Sequence, residues 1–448
     1  MKGRPLGFPV GGGPPTLPGD RHEGRGRGRR PAWIAWIAGA SALAAVTAGC
    51  GGSGGGSGDA SLRMYASPAV KTGLDALIKE FNTANAPRIK MTVRYMPAPK
   101  IGPAVTTEIQ AGNPPDILGI SPGSGGGATG LPLYKLAKAH RLEDLSSKPW
   151  TKGLPPLLAP TVTYKGKVYA LVTGMSTEFM DYTVDELKGW GLKPPSTFAD
   201  LLKLCGEIRK HGKYALVPGA ADPAGNRMLL QSFSAANVYS DDPGWDEKRA
   251  AGQVKFQTTP GWRQTFQQVV DMINADCYYP GGAGRTTEEG KNLQIKGDKA
   301  AMGIGPSTAS TYVTARNPKR KWAAIPVPGR RSSTLPLEVG AMSVAAHGKH
   351  VKESIEFLDF VAQRRDQLAT ATGSFSPAQM ARGELPAFLK PLEPLAKQGR
   401  YSLGASTMWP SDAPALAAYK MMAGLYNKTR TVDDILKAMD ESWDATRS

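Results

Sequence analysis

The chain has 448 residues, 41% of them apolar and 21% charged, with a formal net charge of +17. That length exceeds one ordinary domain, so two lobes are expected, and the apolar fraction is enough for real cores. The positive charge is spread thinly. Its densest run, RNPKRKW (316–322) with Arg330 and Arg331 nearby, lacks the interleaved aromatics of a nucleic-acid footprint, so no nucleic-acid partner is expected.

In chain order, seven Lys/Arg in the first 30 residues precede an apolar run, AWIAWIAGASALAAV (32–46), and T-A-G-C ending at Cys50. A basic segment, a short apolar core and small residues make a secretory signal over 1–50, removed after export. The competing reading is a membrane-spanning anchor, but the run is short of the roughly 20 apolar residues a spanning helix needs. A cysteine at the cut site looks like a bacterial lipobox, although Thr47 stands where Leu is usual. Cys50 is therefore expected to carry lipid at the outer face of the cell membrane. Residues 51–60, opening with GGSGGGSG, form a flexible tether. Residues 1–50 hold seven Lys/Arg and two Asp/Glu, so +5 belongs to the leader and +12 to the other 398 residues. Arg29-Arg30 hint at twin-arginine export, but Pro-Ala-Trp after them fits that motif poorly.

SLRMYASP (61–68) reads as a strand, and LDALIKEFNTA (74–84) as a helix with Leu74, Leu77, Ile78 and Phe81 on one face. RIKMTVRYM (88–96) alternates like a strand. A helix at 101–111 and a short buried strand in NPPDILGI (113–120) follow. This alternation predicts an α/β fold with mostly parallel sheets. KGKVYALV (165–172) is a further strand. The segment 197–219 reads as a helix capped by Thr197, stopped at Gly212 and followed by a strand, YALVP (214–218). A helix-rich stretch (224–278), a helix near 287–296, strands at 300–306, 321–329 and 340–347 and a helix at 352–365 come next. The tail (412–445) is two helices, the second capped by Thr431.

Three cysteines occur. With Cys50 assigned to lipid, Cys205 and Cys277 remain, and an exported chain permits them one disulfide or two buried thiols. The five histidines form no ligand-spaced cluster with them, so no metal site is expected. No G-x-S-x-G elbow, Walker loop, H-E-x-x-H or strand-opened G-x-G-x-x-G occurs. Neither a cofactor nor an enzymatic activity is therefore expected.

Several motifs, in this order and spacing, carry a family resemblance: AGNPPDIL (111–118), GKVYALV (166–172), DYTVDELKGWGLKPPSTFADL (181–201), KGDKAAMGIGPS (296–307), PVPG (326–329) and MWP (408–410). With them the chain resembles an extracellular solute-binding protein of an ABC importer, the class that includes the maltose-type sugar binders. The resemblance implies a two-lobed fold of the periplasmic-binding-protein type (type II), with lobe 1 as 61–175 plus 327–375 and lobe 2 as 176–326 plus 376–448. It implies a monomer that binds a small solute, foremost a carbohydrate, in the cleft and docks on ABC permease subunits. Ligands in open α/β sheets bind beyond strand carboxyl ends. The implied contacts are Ser67 after the first strand, Ser121 after the third, Ser176 near the first crossing, Asp222 after YALVP and Ser307 after AAMGIG. Sugar faces call for aromatic rings and hydroxyls for polar side chains. Tyr65, Tyr182, Trp245 and Trp409 are the stacking candidates; Asp222, Asn237, Glu178 and Glu338 are the hydroxyl candidates. Each has a competing structural role: Tyr182 as hinge packing, Trp245 as a loop cover, Glu338 as a balance to Arg330 and Arg331. Aromatic platforms look thin, which keeps a non-sugar solute open. A sensor or adhesion lipoprotein and, more remotely, a secreted enzyme are the rival functions.

Overall fold

The computed structural model describes residues 59–446 apart from 126 and 128. The leader, Cys50 and the Gly/Ser run lie outside the described residues. The strands are β1 (Ala60–Ala66), β2 (Ile89–Tyr95), β3 (Ile117–Ile120), β4 (Thr163–Tyr164), β5 (Lys167–Val168), β6 (Leu171–Thr183), β7 (Met302–Pro306), β8 (Trp322–Ile325), β9 (Leu335–Val344) and β10 (Tyr401–Leu403). The main sheet runs β2-β1-β3-β9-β6-β7, with β10 beside β9 and β8 beside β6; β4 and β5 form a separate hairpin.

Only part of this sheet is parallel. β1 runs parallel to β2 and β3, and β10 to β9, whereas β9 is antiparallel to β3 and β6, and β6 is antiparallel to β7 and β8. The expectation of mostly parallel sheets is corrected: the chain returns through the sheet along β6 and β9, and returning strands run against their neighbours. β6 is the longest of these, 13 residues. Its first half pairs with β9 (Leu171 to Thr177) and its second half with β7 and β8 (Glu178 to Thr183). A single strand thus joins the two ends of the sheet, and this is the crossing between the two lobes.

Apolar burial separates along that strand. The helix Lys71–Asn85 and the helix Val351–Gln363 cover one face of the first sheet, packing Leu74, Phe81 and Phe357 on Leu62 and Met64. The other face packs Ile101, Val105, Leu118, Ile120 and Leu337. Residues 376–396, which the sequence groups with the second lobe, place Met380, Leu385, Leu389, Leu392 and Ala396 in this same core. The second lobe is built on Phe198, Leu201, Trp262, Phe266, Met422 and Leu436. Each such side chain contributes about 1.5–3 kcal/mol on burial.

Local sequence explains the helix starts. Thr197, Thr286 and Thr431 each close a capping box with the acidic residue three positions on, Asp200, Glu289 and Asp434. The reciprocal bonds satisfy amide groups that a helix start leaves open. Cys205, on the helix Phe198–Lys210, and Cys277, just after the helix Pro260–Asn274, are joined as a disulfide with Cα atoms 4.8 Å apart. The segment 214–218 is not a strand: it makes only isolated bridges, Tyr214 to Ala300 and Leu216 to Tyr278. Among the described residues no helix is long and apolar enough to cross a membrane.

Candidate functional site

The crossing strand gathers polar side chains that a buried strand does not ordinarily hold. Alternation puts Ser176 and Glu178 of β6 on one face. Ser176 pairs with Glu338 of β9, and Glu178 with Pro306 of β7. The helix Pro223–Ser234 of the second lobe presents Arg227 to this face. The Arg227 guanidinium is ion-paired to Glu338, lies 3.9 Å from Glu178 Oε1, and donates to Gln231 Oε1 at 3.4 Å. Solvent reaches part of the cluster: the side chains of Arg227 and Glu338 are 27% and 30% exposed, that of Glu178 0%.

Burial dominates the electrostatics here. It pushes the Glu178 carboxyl above the ordinary carboxylate range, against the pull of Arg227 and Lys291. Neither Glu178 oxygen accepts a hydrogen bond. Asp181, three residues on, is pushed up in the same way, opposed by Lys291 and by the amide of Gln294 that donates to it. The arrangement offers a half-open guanidinium and carboxylate side by side, a donor fork and an acceptor pair. Such pairs match the two-way hydrogen bonding of hydroxyl groups.

Of the other sequence candidates, Ser307 and Ser67 reach the same region. Ser307 is fully buried, and its Oγ accepts from the Thr177 amide at 3.3 Å. Ser67 caps the turn Pro68–Val70, which packs against the turn Ser307–Ala309. Ser121 is buried and its hydroxyl meets that of Thr129 at 2.9 Å. Its loop continues to Gly123 and Gly125, which lie against the backbone of Ser406 and Thr407. The amides of Ser124 and Gly125 both donate to Thr407 O, at 3.1 and 3.2 Å.

The aromatic candidates do not converge. Trp409 is 0% exposed, walled by Phe256, Trp262 and Trp443, and its Nε1 donates to Asp246 at 2.9 Å. Trp245 is 1% exposed, stacks in the same cluster and donates to Thr259 Oγ1 at 2.9 Å. Neither presents an open face, which corrects the expectation that they stack on a ligand. The second lobe uses both to fill its core. Tyr65 is buried in the first lobe with its hydroxyl on Glu108. Tyr182 is half-buried and packs on the second lobe's core. Asn237 is buried and donates to Gln268 Oε1 at 2.5 Å. Asp222 caps the helix Pro223–Ser234 and accepts from the Thr287 amide at 2.7 Å, tying two helix starts together. Glu338 is partnered by Arg227, not by Arg330, which pairs with Asp271, nor by Arg331, which pairs with Asp241.

Sequence reasoning passes over Arg227 and Gln231. They sit inside a helix-rich stretch without a motif; only their spacing of four, on the side away from Leu229, marks them as one polar face. Two concavities lie elsewhere, one of 40 Å³ between Leu216, Asn226, Lys291 and Tyr426, the other of 680 Å³ between Leu154, Met380 and Tyr401. Neither is lined by Glu178, Arg227 or Glu338. Among the described residues no group of three His, Cys, Asp or Glu could hold a metal ion.

Comparison with known proteins meets this geometry from outside. A family model described as bacterial extracellular solute-binding protein matches residues 76–386. The multiple sugar-binding protein of Streptococcus mutans is 22% identical over 355 residues, 76% of this chain and 80% of that protein. The melibiose/raffinose/stachyose-binding protein MelE of Bacillus subtilis is 25% identical over 257 residues, 53% of this chain and 58% of that protein. Among solved structures, RafE of Streptococcus pneumoniae in its apo form superposes with a TM-score of 0.66 at 18% identity, covering 88% of this chain and 100% of that one.

Proposed function

The chain belongs to the bacterial extracellular solute-binding proteins, and from that premise we propose that it captures a carbohydrate at the crossing between its lobes and hands it to the membrane permease of an ABC importer. The observation that carries the reading is the half-open Arg227–Glu338 pair on the crossing strand, at the junction of two separate cores. Side-by-side donor fork and carboxylate suit the hydroxyls of a neutral sugar. The similarity to proteins named for multiple sugars and for melibiose, raffinose and stachyose favours an oligosaccharide. With Trp245 and Trp409 committed to the core, hydrogen bonds rather than stacking rings carry most of the recognition. Ser176 and Ser307 are the proposed neighbours of the charged pair, with Ser67 and Ser121 at the rim. The protein binds its solute and releases it unchanged. The lobes close over the solute by bending at 177–178, in the loop before β9 and near 404, a hinge motion that shifts an existing equilibrium.

A thermal-shift screen tests this. Raffinose, stachyose, melibiose, diacetylchitobiose, amino acids and polyols are each added to the purified protein. A sugar at a hundred times its Kd should add about 2.7 kcal/mol of stability. If every sugar leaves the melting point unmoved while an amino acid or polyol raises it, the carbohydrate reading fails.

We also propose that Cys50 carries the lipid that keeps the protein at the outer face of the cell membrane. In a strain expressing the full chain, Cys50→Ser should move the protein from the membrane fraction to the medium. An unchanged membrane fraction would refute the anchor and leave the binding site untouched.

A further inference from the structure

Glu178 is the least satisfied group at the crossing. Its side chain is fully buried, both carboxyl oxygens lack hydrogen bonds, and its nearest cation, Arg227 Nη1, stands at 3.9 Å. A buried carboxyl without hydrogen bonds costs several kcal/mol if ionised, unless a cation closes on it. Here Arg227 is held back because Glu338, on the other lobe's strand β9, has claimed the guanidinium. About 1 Å of movement would bring Arg227 to charge-assisted hydrogen-bond distance of Glu178. The guanidinium therefore sits between two carboxylates and, as placed, is closely paired only with Glu338.

We propose that Arg227 exchanges carboxylate partners, from Glu338 to Glu178, when Glu338 is taken up by a hydroxyl-bearing ligand. The inference rests on the reading that the ligand occupies the crossing. It makes Glu178 a positioning residue: it touches no ligand, but receives the edge of the guanidinium freed from Glu338, while the remaining N–H groups stay available to the ligand. In the arrangement seen here burial favours the protonated acid. With Arg227 against it the ionised form is favoured, so the Glu178 O–H gives its proton to solvent and the carboxylate accepts from Arg227. Ligand capture is then coupled to loss of a proton. The other charged or titratable groups that face Glu178 are Lys291 from the helix Thr287–Lys296, Glu338 on β9 and Tyr419 from the helix Ala413–Tyr426, which feels Arg227, Asp412 and Glu178 together. Lys291 acts on both Glu178 and Asp181, so it cannot discriminate between the two states of Arg227.

Two measurements decide the matter, on the protein as exported. The first needs no ligand. Carboxyl-carbon NMR on glutamate-labelled protein follows Glu178, its signal assigned by its loss in Glu178→Gln. In Glu338→Gln, where Arg227 has no competing carboxylate, the Glu178 midpoint should fall by about one pH unit or more. An unmoved midpoint overturns the exchange. The second measurement is calorimetry of raffinose binding in buffers of different ionisation heat. Wild type should release a proton on binding at a pH between the two midpoints, and Glu178→Gln should release none. Raffinose binding without proton release in wild type overturns the coupling even though the sugar reading stands. If raffinose does not bind while Glu338→Gln still lowers the midpoint, the exchange stands and the sugar reading is what failed.

Discussion

The Trp409 indole donates to Asp246 Oδ1 at 2.9 Å, and the Tyr239 hydroxyl donates to the same oxygen at 2.8 Å. Three buried aromatic rings close over Trp409, so an indole N–H without that partner would be costly there. Burial pushes Asp246 up to about 6, while the two donors pull it down and Glu247 adds to the rise. The folded value lies above the ordinary 3.8 of an exposed aspartate. Between those two values the native state holds a proton that the unfolded chain gives up, so stability falls as pH rises from about 4 to about 6 and is level beyond. The full shift converts to about 3 kcal/mol, and because the side chain is only half-buried by its surface, solvent brings the effect below that. Asp246→Asn keeps an oxygen for both donors but cannot titrate. Urea unfolding across this pH window should show wild type losing stability relative to Asp246→Asn; parallel curves for the two proteins would mean that Asp246 titrates as an exposed carboxylate does.

Elements differ in how openly the sequence declares them. Thr197 and Thr431 could be read as caps because a capping box is a local rule, complete within four residues. The helices follow from apolar spacing, and the family from motifs in order. β6 was harder. Gly174, Ser176 and Thr177 look like a loop after a short strand, yet the strand runs on to Thr183 because β9 pairs its first half and β7 and β8 its second. Backbone hydrogen bonds from three neighbours outweigh the low strand preference of Gly, Ser and Glu, and no local rule contains those neighbours. The reverse holds for 214–218, whose YALVP has strand composition but finds only bridging partners. Site residues divide the same way. Glu178, Glu338, Ser176 and Ser307 lie beside strand pairings that motif order locates. Arg227 reaches them only because its helix folds back across β6, and Trp245 and Trp409 leave the cleft because the second lobe's core needs their volume.

At the scale of the whole molecule, the two cores are tied by more than a shared strand. The loop after β3 belongs to the first lobe, since Ile120 and Leu131 pack in its core, whereas Ala405 and Trp409 pack in the second. Gly123 and Gly125 let this loop sit directly on the backbone that leads into the second lobe, and the Ser124 hydroxyl adds a bond to Trp409 O at 2.5 Å. A Cβ on Gly125 would lie 2.3 Å from Ser406 O, closer than such atoms ever approach, so the loop must lift. Gly189, with nothing within 4 Å of the same added atom, is the control. Gly125→Ala should therefore cost about 1–3 kcal/mol in urea unfolding, the usual penalty of overpacking. It should also loosen one lobe from the other. Small-angle scattering of the ligand-free protein should give a larger radius of gyration for Gly125→Ala than for wild type, which at about 390 folded residues is near 21 Å. Gly189→Ala, at the end of the helix Val184–Gly189, should lose no stability and keep the wild-type radius. If Gly125→Ala loses stability but keeps its radius, the seat braces the loop alone and β6 by itself sets the distance between the lobes.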